Sequence, residues 1–142
     1  MEAKEYLEQI RIIDKDIDSR IAEKESLIQT IVKSPTLSDI NVQESNRLHY
    51  DDKYTKIIQL SEEIDDLIDT LAKIKKEATA LIDKVGEVDK EAMIILRYRY
   101  LSSKSWEVIA DKMCYGLRHV YKVHGNALNE FRKVYKDGTK WH

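Results

Sequence analysis

The sequence predicts an all-α protein in which a long antiparallel helical hairpin, a coiled coil, precedes a small module of shorter helices. Two observations lead to this prediction. Proline and glycine are scarce, at 1 and 4 of 142 residues, while 35% of the residues are charged; this composition favours long helices over a sheet with many turns. Apolar residues also recur at intervals of three and four along most of the chain, which is the spacing of one helix face.

The first helix is predicted before Pro35. Its apolar residues form one stripe surrounded by charged residues, and they are Tyr6, Ile10, Ile13, Ile17, Ile21, Ile28 and Ile31. The segment KSPTLSDINVQESN then interrupts the pattern. Pro35 and the neighbouring Ser, Asp and Asn residues predict a polar connection there.

The second helix is predicted to begin near Leu48, and its repeat is more regular. The apolar residues alternate strictly by three and four, at Ile57, Leu60, Ile64, Leu67, Leu71, Ile74, Ala78, Leu81 and Val85. Such a repeat, kept over four heptads, predicts a coiled-coil seam. Two long helices joined by one loop fold back most simply as an antiparallel hairpin, with arms on the order of 45–55 Å at ~1.5 Å per residue.

The pattern leaves open whether this seam closes within one chain or between two chains. Because a two-helix hairpin buries only one seam, we expect the chain to self-associate, with a dimer favoured. The segment GEVD ends the repeat, and Gly86 is a candidate C-cap. The sequence therefore divides into an oligomerising hairpin, residues 1–86, and a C-terminal module, residues 87–142.

Three shorter helices are predicted in the C-terminal module. In KEAMIILRYRYL, one face carries Ile94, Tyr98 and Leu101. The next helix, WEVIADKM, has Ser105 as its best N-cap candidate. A longer helix is predicted after a Cys-Tyr-Gly turn, from about residue 117 to residue 135.

The charge of the chain is unevenly distributed. Residues 1–88 carry 13 Lys and Arg against 20 Asp and Glu, whereas residues 89–142 carry 11 against 6. The net charge is therefore −7 in the first part and +5 in the second, although the whole chain has a net charge of −2. A basic module joined to an acidic arm suggests a polyanionic partner for the module.

The last two predicted helices have the spacing of a helix-turn-helix, in which two helices cross closely around a small residue. Ala110 is that small residue, and Trp106, Ile109 and Met113 flank it. The inward stripe of the second helix consists of Val120, Val123, Ala127, Leu128 and Phe131. The outward side of the same helix carries Arg118, His119, Lys122, Asn126, Asn129, Arg132 and Lys133.

No acidic residue occurs between Asp111 and Glu130. A basic, amide-rich face without carboxylates suits a helix that lies in the major groove of DNA, near phosphates and base edges. The spacing fits a second interpretation equally well, in which three amphipathic helices cap a coiled coil and their Lys and Arg residues form a solvated surface.

Other kinds of site have little support in the sequence. The single cysteine, Cys114, excludes an internal disulfide and fits a reducing compartment. His49, His119, His124 and His142 are scattered without metal-ligand spacing. We find no Walker-type loop or nucleophile elbow and no apolar run of the ~20 residues that span a bilayer. The sequence thus predicts a cytosolic protein that is not an enzyme and has no metal, no cofactor and no membrane partner.

The stretch MIILRYRYLSSKSWEVIADKMCYGLRHVYKVHGNAL, residues 93–128, is similar to the fourth region of bacterial sigma factors. Over nearly its full length the chain resembles a family of phage and prophage proteins of Gram-positive bacteria that includes the RinA-like and ArpU-like transcriptional regulators. The residues that carry this resemblance are YLEQIRIIDKDI at 6–17, VQES at 42–45, LRYRY at 96–100, SWEVIADKM at 105–113 and HGNAL at 124–128. The pairing of SWEVIA with HGNAL is its most specific part.

The resemblance implies a regulator of phage genes that binds double-stranded DNA in the cytoplasm of a bacterial host, and that activates late or packaging genes. It implies base contacts from the first turns of the recognition helix and phosphate contacts from the helix before it. The DNA-binding residues expected are Arg118, His119, Tyr121, Lys122, Asn126, Arg97, Arg99 and Arg132.

The chain departs from the sigma-like pattern at two positions. Cys114 stands where sigma-like domains usually have glycine, and His124 stands where they have leucine, with the apolar Val123 one place earlier. We therefore expect a strained turn, with Gly116 at the start of the recognition helix. A rotation of that helix would shift the base-contacting residues by one position.

Two other functions remain open at this point. A protein similar to the small terminase subunit, which recognises a packaging site, would share the helix-turn-helix and the oligomerising coil. A coiled-coil adaptor would instead use the C-terminal helices to contact a protein such as RNA polymerase.

Overall fold

The computed structural model describes the backbone of residues 1–33 and 43–139, and the side chains of residues 1–33 and 51–136. These residues form helices and short connections without a strand, which confirms the all-α prediction. The helices are α1 (Ala3–Val32), α2 (Gln43–Val85), α3 (Lys90–Leu96), α4 (Trp106–Met113) and α5 (Leu117–Thr139). A π-helical turn, Arg97–Leu101, follows α3 directly. Pro35 and the predicted polar connection around it lie largely outside the described residues.

The apolar stripe predicted for α1 is buried most completely in its first half. Tyr6, Ile10 and Ile17 are buried, and Leu7, which the predicted stripe did not include, is buried as well. Ile28, near the end of the helix, is 38% exposed. The apolar stripe of α1 is therefore closely packed in the first half of the helix and partly exposed near its end.

Helix α2 begins at Gln43, five residues before the predicted start near Leu48, so the predicted start was wrong. The four residues Gln-Glu-Ser-Asn were assigned to the connection because they are polar, yet Gln and Glu have good intrinsic helix propensity. At ~1.5 Å per residue the helix is about 65 Å long. Each predicted seam residue from Ile57 to Val85 is buried or half-buried.

The chain divides into two compact units that cut across both long helices. The first unit, called the compact module below, contains residues Met1–Asp14 and Leu71–His142. The second, called the hairpin unit, contains residues Lys15–Thr70. This division differs from the predicted boundary between residues 86 and 87, because the start of α1 and the end of α2 pack with the short helices.

Aromatic contacts show why the start of α1 belongs to the compact module. The ring of Tyr6 on α1 lies 6.3 Å from that of Phe131 and 5.1 Å from that of Tyr135, both on α5. Burial, followed by the neighbouring Glu77 carboxylate on α2, raises the pKa of the Tyr6 hydroxyl. Tyr6 therefore joins three helices that are far apart in the sequence.

Helices α1 and α2 contact each other in each unit. In the compact module Tyr6 lies beside Glu77, and in the hairpin unit Arg20 forms an ion pair of 2.6 Å with Glu63.

Gly86 follows the last residue of α2, but it has no positive φ. Its role is close packing, because a Cβ atom there would collide with the side chain of Met93. Asp89 then caps α3 with an extended backbone, and its carboxylate accepts a hydrogen bond of 3.1 Å from the Ala92 amide. The connection between α2 and α3 is thus held by one small residue and one capping residue.

Helix α3 and the π-helical turn bury a different face from the one that carries Ile94, Tyr98 and Leu101. Ile94 is 40% exposed, while Ile95 and Leu96 are completely buried. After Leu96, the Ser102 amide donates to the Arg97 carbonyl at 2.9 Å, which is the i to i−5 bond of a π-helical turn. Tyr100, within this turn, is completely buried as well.

In the described part of the chain, no helix combines the length and the apolar character that a membrane span requires.

Candidate nucleic-acid interface

The candidate interface is built on α4, the turn after it and α5. Helix α4 begins as predicted at an N-cap, Ser105, whose backbone is extended. The Ser105 hydroxyl accepts a hydrogen bond of 3.3 Å from the Val108 amide. Ile109 and Ala110 are buried, which places the predicted small residue in the contact between the two helices.

The turn after α4 is a Schellman motif. The Tyr115 amide donates to the Ala110 carbonyl at 3.0 Å, and the Cys114 amide donates to the Asp111 carbonyl at 3.3 Å. Cys114 adopts the left-handed conformation, with φ 60° and ψ 40°. The expected strain is therefore present, because a side chain at this position costs about 1–2 kcal/mol relative to right-handed backbone. Glycine avoids most of that cost.

Helix α5 follows the turn directly, and Gly116 has the place expected for it. The Gly116 carbonyl accepts the hydrogen bond of 3.0 Å from the Val120 amide that opens the helix. All five residues of the predicted inward stripe are buried, namely Val120, Val123, Ala127, Leu128 and Phe131. The shape of the helix pair thus follows from its apolar pattern.

All six predicted DNA-binding residues of α5 are exposed. They are Arg118, His119, Tyr121, Lys122, Asn126 and Arg132. Arg132 donates a hydrogen bond of 2.7 Å to the side chain of Asn129, which is exposed on the same helix. The face of α5 therefore presents cations, amides and a half-exposed tyrosine ring to solvent.

The two arginines predicted to contact phosphate from the preceding helix differ in their surroundings. Arg97 is exposed and forms an ion pair of 3.0 Å with Asp83 of α2. Arg99 is half-buried, and its guanidinium carbon lies 4.0 Å from the centre of the Trp106 ring. The Arg99 Nη1 group also donates to the Lys104 carbonyl at 3.1 Å. Arg99 is thus held in place by a ring and a carbonyl.

Trp106 joins the π-helical turn to α5. Its ring meets that of Tyr121 edge-on at 5.4 Å and that of His124 edge-on at 4.6 Å. Edge-to-face aromatic pairs contribute about 0.5–1.5 kcal/mol beyond their buried area. Trp106 is half-buried, and it connects Arg99 on one side to the exposed Tyr121 on the other.

His124 is the buried polar residue of the compact module. It is only 8% exposed, and its Nε2 atom lies 2.7 Å from the hydroxyl oxygen of the buried Tyr100. Burial, followed by the charges of Arg99 and Lys4, lowers the pKa of His124 to about 4. Burial and the Glu8 carboxylate raise the pKa of Tyr100. At neutral pH the pair is thus an uncharged imidazole and an uncharged phenol.

The hydrogen bond between Tyr100 and His124 explains how a histidine can stand at position 124, where the sigma-like pattern has leucine. Val123 and His124 are both buried, so α5 directs two consecutive residues inward. The imidazole occupies a core position because the phenol of Tyr100 satisfies its nitrogen. Sequence patterns missed the pair, since a histidine 24 residues from its partner gives no local signal.

A carboxylate also lies closer to the turn than the sequence indicated. The Tyr115 hydroxyl donates a short hydrogen bond to the Glu91 carboxylate of α3, which raises the pKa of Tyr115. The ring of Tyr115 meets that of His119 edge-on at 4.4 Å. Glu91 therefore approaches one end of the basic face, although it is remote from that face in the sequence.

Within the residues that the structure describes, no group of three His, Cys, Asp or Glu side chains has an arrangement that would hold a metal ion.

The fold and this surface define an all-α protein whose last helix, α5, carries a basic, carboxylate-poor face. The chain belongs to the DUF1492 family, described as a protein of unknown function, whose model matches residues 31–132. That match covers α2, the short helices and most of α5. No curated protein matches the chain, and no solved structure matches it.

Proposed function

We propose that this protein is a transcriptional regulator of phage or prophage genes that binds double-stranded DNA in a sequence-specific manner through α5. The observation that supports the proposal best is the exposed face of α5. Arg118 and Lys122 lie there in a stretch without any carboxylate, from residue 112 to residue 129, and Arg132 is exposed further along the same helix. In DNA recognition, cations and amides on such a face contact phosphates and base edges.

The rigidity of the supporting module favours recognition of sequence over a loose electrostatic contact. The inward stripe of α5 is completely shielded at Val120, Ala127 and Phe131, and the Schellman turn sets the direction in which α5 leaves α4. A helix held in this way presents its side chains in a defined register, which base readout requires.

The proposal is tested first by selecting binding sites from a random duplex library with the full chain. We expect one enriched motif, bound at least ~10³ times more tightly than random duplex. Enrichment of no motif would exclude sequence-specific binding, while leaving nonspecific binding measurable in the same titration.

The residues are then tested on the selected site. Truncation of a base contact, as in Arg118→Ala, is expected to cost ~1–3 kcal/mol and to relax the preference at one base position. The matched control is Arg20→Ala, which removes an arginine that is engaged with Asp16 and Glu63 in the hairpin unit. Equal binding by both variants would remove Arg118 from the interface.

The oligomeric state and the sign of regulation belong to the same proposal. We expect a dimer in light scattering and increased expression from late or packaging promoters in a reporter strain. A large ring would favour recognition of a packaging site instead.

If charge reversal at Lys122 and Arg132 left every DNA-dependent activity intact, the adaptor function with RNA polymerase as partner would replace DNA binding.

A further inference from the structure

A glycine lies in the interior of α5, where it weakens the helix. Gly125 is exposed, and α5 continues through it as regular helix from Leu117 to Thr139. No glycine in the described part of the chain has a positive φ, so the backbone at this position is one that other residues also adopt. Inside a helix, glycine is less favourable than alanine because its backbone loses more conformational freedom on folding. The backbone conformation therefore does not explain the glycine.

The packing of the chain does not explain Gly125 either. Among the residues that the structure describes, no atom outside the backbone of the helix itself lies within 4 Å of the place that a Cβ atom on Gly125 would occupy. Gly86 differs, because a Cβ atom there would collide with the side chain of Met93. Gly116 directly precedes α5, at a position where glycine is a better N-cap than alanine. The space beside Gly125 is thus open to something outside the chain.

Gly125 lies on the face of α5 that carries the exposed cations and amides. Lys122 precedes it by three residues and Asn129 follows it by four, so both flank it along the same face. Both side chains are exposed. Tyr121, four residues before Gly125, is 50% exposed, and its ring meets that of Trp106 edge-on at 5.4 Å. The candidate interface is therefore narrowest at its middle, where the helix has no side chain.

We propose that Gly125 is the point at which α5 approaches DNA most closely, within the major groove. This inference rests on the proposed function, and it moves the centre of the contact from the first turns of α5 to the middle of the helix. The major groove is about 12 Å wide, and a helix with its side chains is about 10–12 Å across. A helix without a side chain at its centre lies deeper in that groove, and Lys122 and Asn129 then contact DNA on either side of Gly125.

The charge around Gly125 favours DNA over a protein as the occupant. The centre of a protein–protein interface is depleted in charged residues and lysine. The exposed neighbours of Gly125 are instead Lys122, Asn126 and Asn129, in a stretch without a carboxylate from residue 112 to residue 129. Cations and amides are the groups that contact phosphates and base edges.

The test compares the wild-type chain with Gly125→Ala and Gly125→Leu on the selected duplex. Alanine and leucine are good helix formers and meet open space, so both variants should keep the wild-type Tm or exceed it, with a rise of about 2–4 °C for alanine. DNA affinity should fall at the same time, by about fivefold or more for alanine and further for leucine, because the added side chain overpacks a close contact. A more stable protein that binds DNA less tightly has lost a contact that only DNA makes.

The matched control is Ser26→Ala, at an exposed position in the interior of α1 in the hairpin unit. This change also raises helix propensity, and it is expected to leave DNA affinity unchanged. Equal affinity of Gly125→Ala and the wild type would overturn the proposal. A Tm of Gly125→Ala below that of the wild type would overturn it as well, because the fold itself would then require the glycine.

Further outcomes separate this inference from the proposed function. If the wild type binds duplexes without sequence preference, the sequence-specific function falls, and the same variants are compared on random duplex. Affinity that decreases with the size of residue 125 would then support the close contact, and unchanged affinity would overturn it. Variants that bind DNA normally but lose activity in the reporter strain would assign Gly125 to a protein partner and overturn the proposal. Absence of duplex binding by the wild type would overturn both.

Discussion

The compact module and the hairpin unit use the same apolar repeat but bury it to different extents. In the compact module, Leu7, Ile10, Ile82 and Ile95 are completely buried. In the hairpin unit the buried apolar side chains among those described are Ile17, Leu60 and Ile64, while the larger exposed ones are Ile28, Val32, Tyr54, Ile58 and Ile68. Spacing therefore predicts which residues face inward, whereas the number of helices packed around them decides how completely they are buried.

The difference has a consequence for stability. Apolar burial contributes about 25 cal/mol per Å² of surface removed from water. Because most of the buried apolar side chains lie in the compact module, this module contributes most of the hydrophobic stabilisation. The hairpin unit leaves several large apolar side chains in water, including Ile58 at 60% and Tyr54 at 52% exposed. We expect the hairpin unit to open at lower free energy than the module.

The largest expected effect compares two isoleucines on the same helix. Ile82→Ala, in the module, should cost about 2–5 kcal/mol of unfolding free energy, because Ile82 is completely buried and its removal leaves a cavity. Ile68→Ala, in the hairpin unit, should change it by less than about 0.5 kcal/mol, because Ile68 is 46% exposed. Urea denaturation of both variants measures the difference, and equal costs would contradict the comparison.

The second effect concerns pH and His124 in the module. The pKa of this base is lowered to about 4 in the folded state from 6.5 in the unfolded chain, so the unfolded state binds the proton first as the pH falls. The contribution of His124 is therefore fully present above pH ~6.5 and decreases as the pH falls towards about 4, by about 2–3 kcal/mol at pH ~4.5.

This pH dependence is measured by urea denaturation of the wild type and of His124→Leu between neutral pH and pH ~4.5. The leucine variant should lack the contribution of His124, so its stability should fall less steeply. Parallel curves for the two proteins would show that His124 does not cause the loss.

A third effect concerns the hydrogen bond between Tyr100 and His124. Tyr100→Phe leaves the Nε2 atom of His124 buried without a partner, which should cost about 1–3 kcal/mol. Combined with His124→Leu, the same change should cost much less, because no buried polar atom then remains unpaired. In the hairpin unit, Tyr54→Phe should be neutral, since Tyr54 is 52% exposed. Additive costs in the double variant would contradict this explanation.

The smallest effect concerns the turn before α5. Positive φ values among described non-glycine residues occur at Ser103 and Cys114, both in the module. Cys114→Gly should stabilise the chain by about 1 kcal/mol, because glycine adopts this conformation without the Cβ penalty. Cys114→Ala, which removes the thiol and keeps the Cβ atom, should have little effect. A gain in both variants would attribute the effect to the thiol instead of the backbone.

Much of the fold and of the candidate site could be predicted because the relevant signals are local. The heptad spacing of α2, the N-cap at Ser105 and the inward stripe of α5 each depend on residues within a few turns of one another. The strain at Cys114 was also predictable, since its place after a short helix is one that glycine usually fills.

The predictions failed, or were silent, where distant segments determine the local structure. The spacing in α3 grouped Ile94, Tyr98 and Leu101 on one face but did not indicate which face is buried, because that depends on the helices packed against it. The pair of Tyr100 and His124 and the contact of Glu91 with Tyr115 each join residues 24 positions apart. No periodicity carries information about such contacts.

The sequence by itself determined the helical class, the seam residues and the basic face of α5, because apolar period and charge are properties of neighbouring residues. Only the tertiary structure decided that the start of α1 belongs to the compact module. The same was true of His124, which is neutral because burial lowers its pKa and which pairs with a phenol from the π-helical turn. These features depend on which surfaces helices bury against each other, and that is set by the packing of the whole chain.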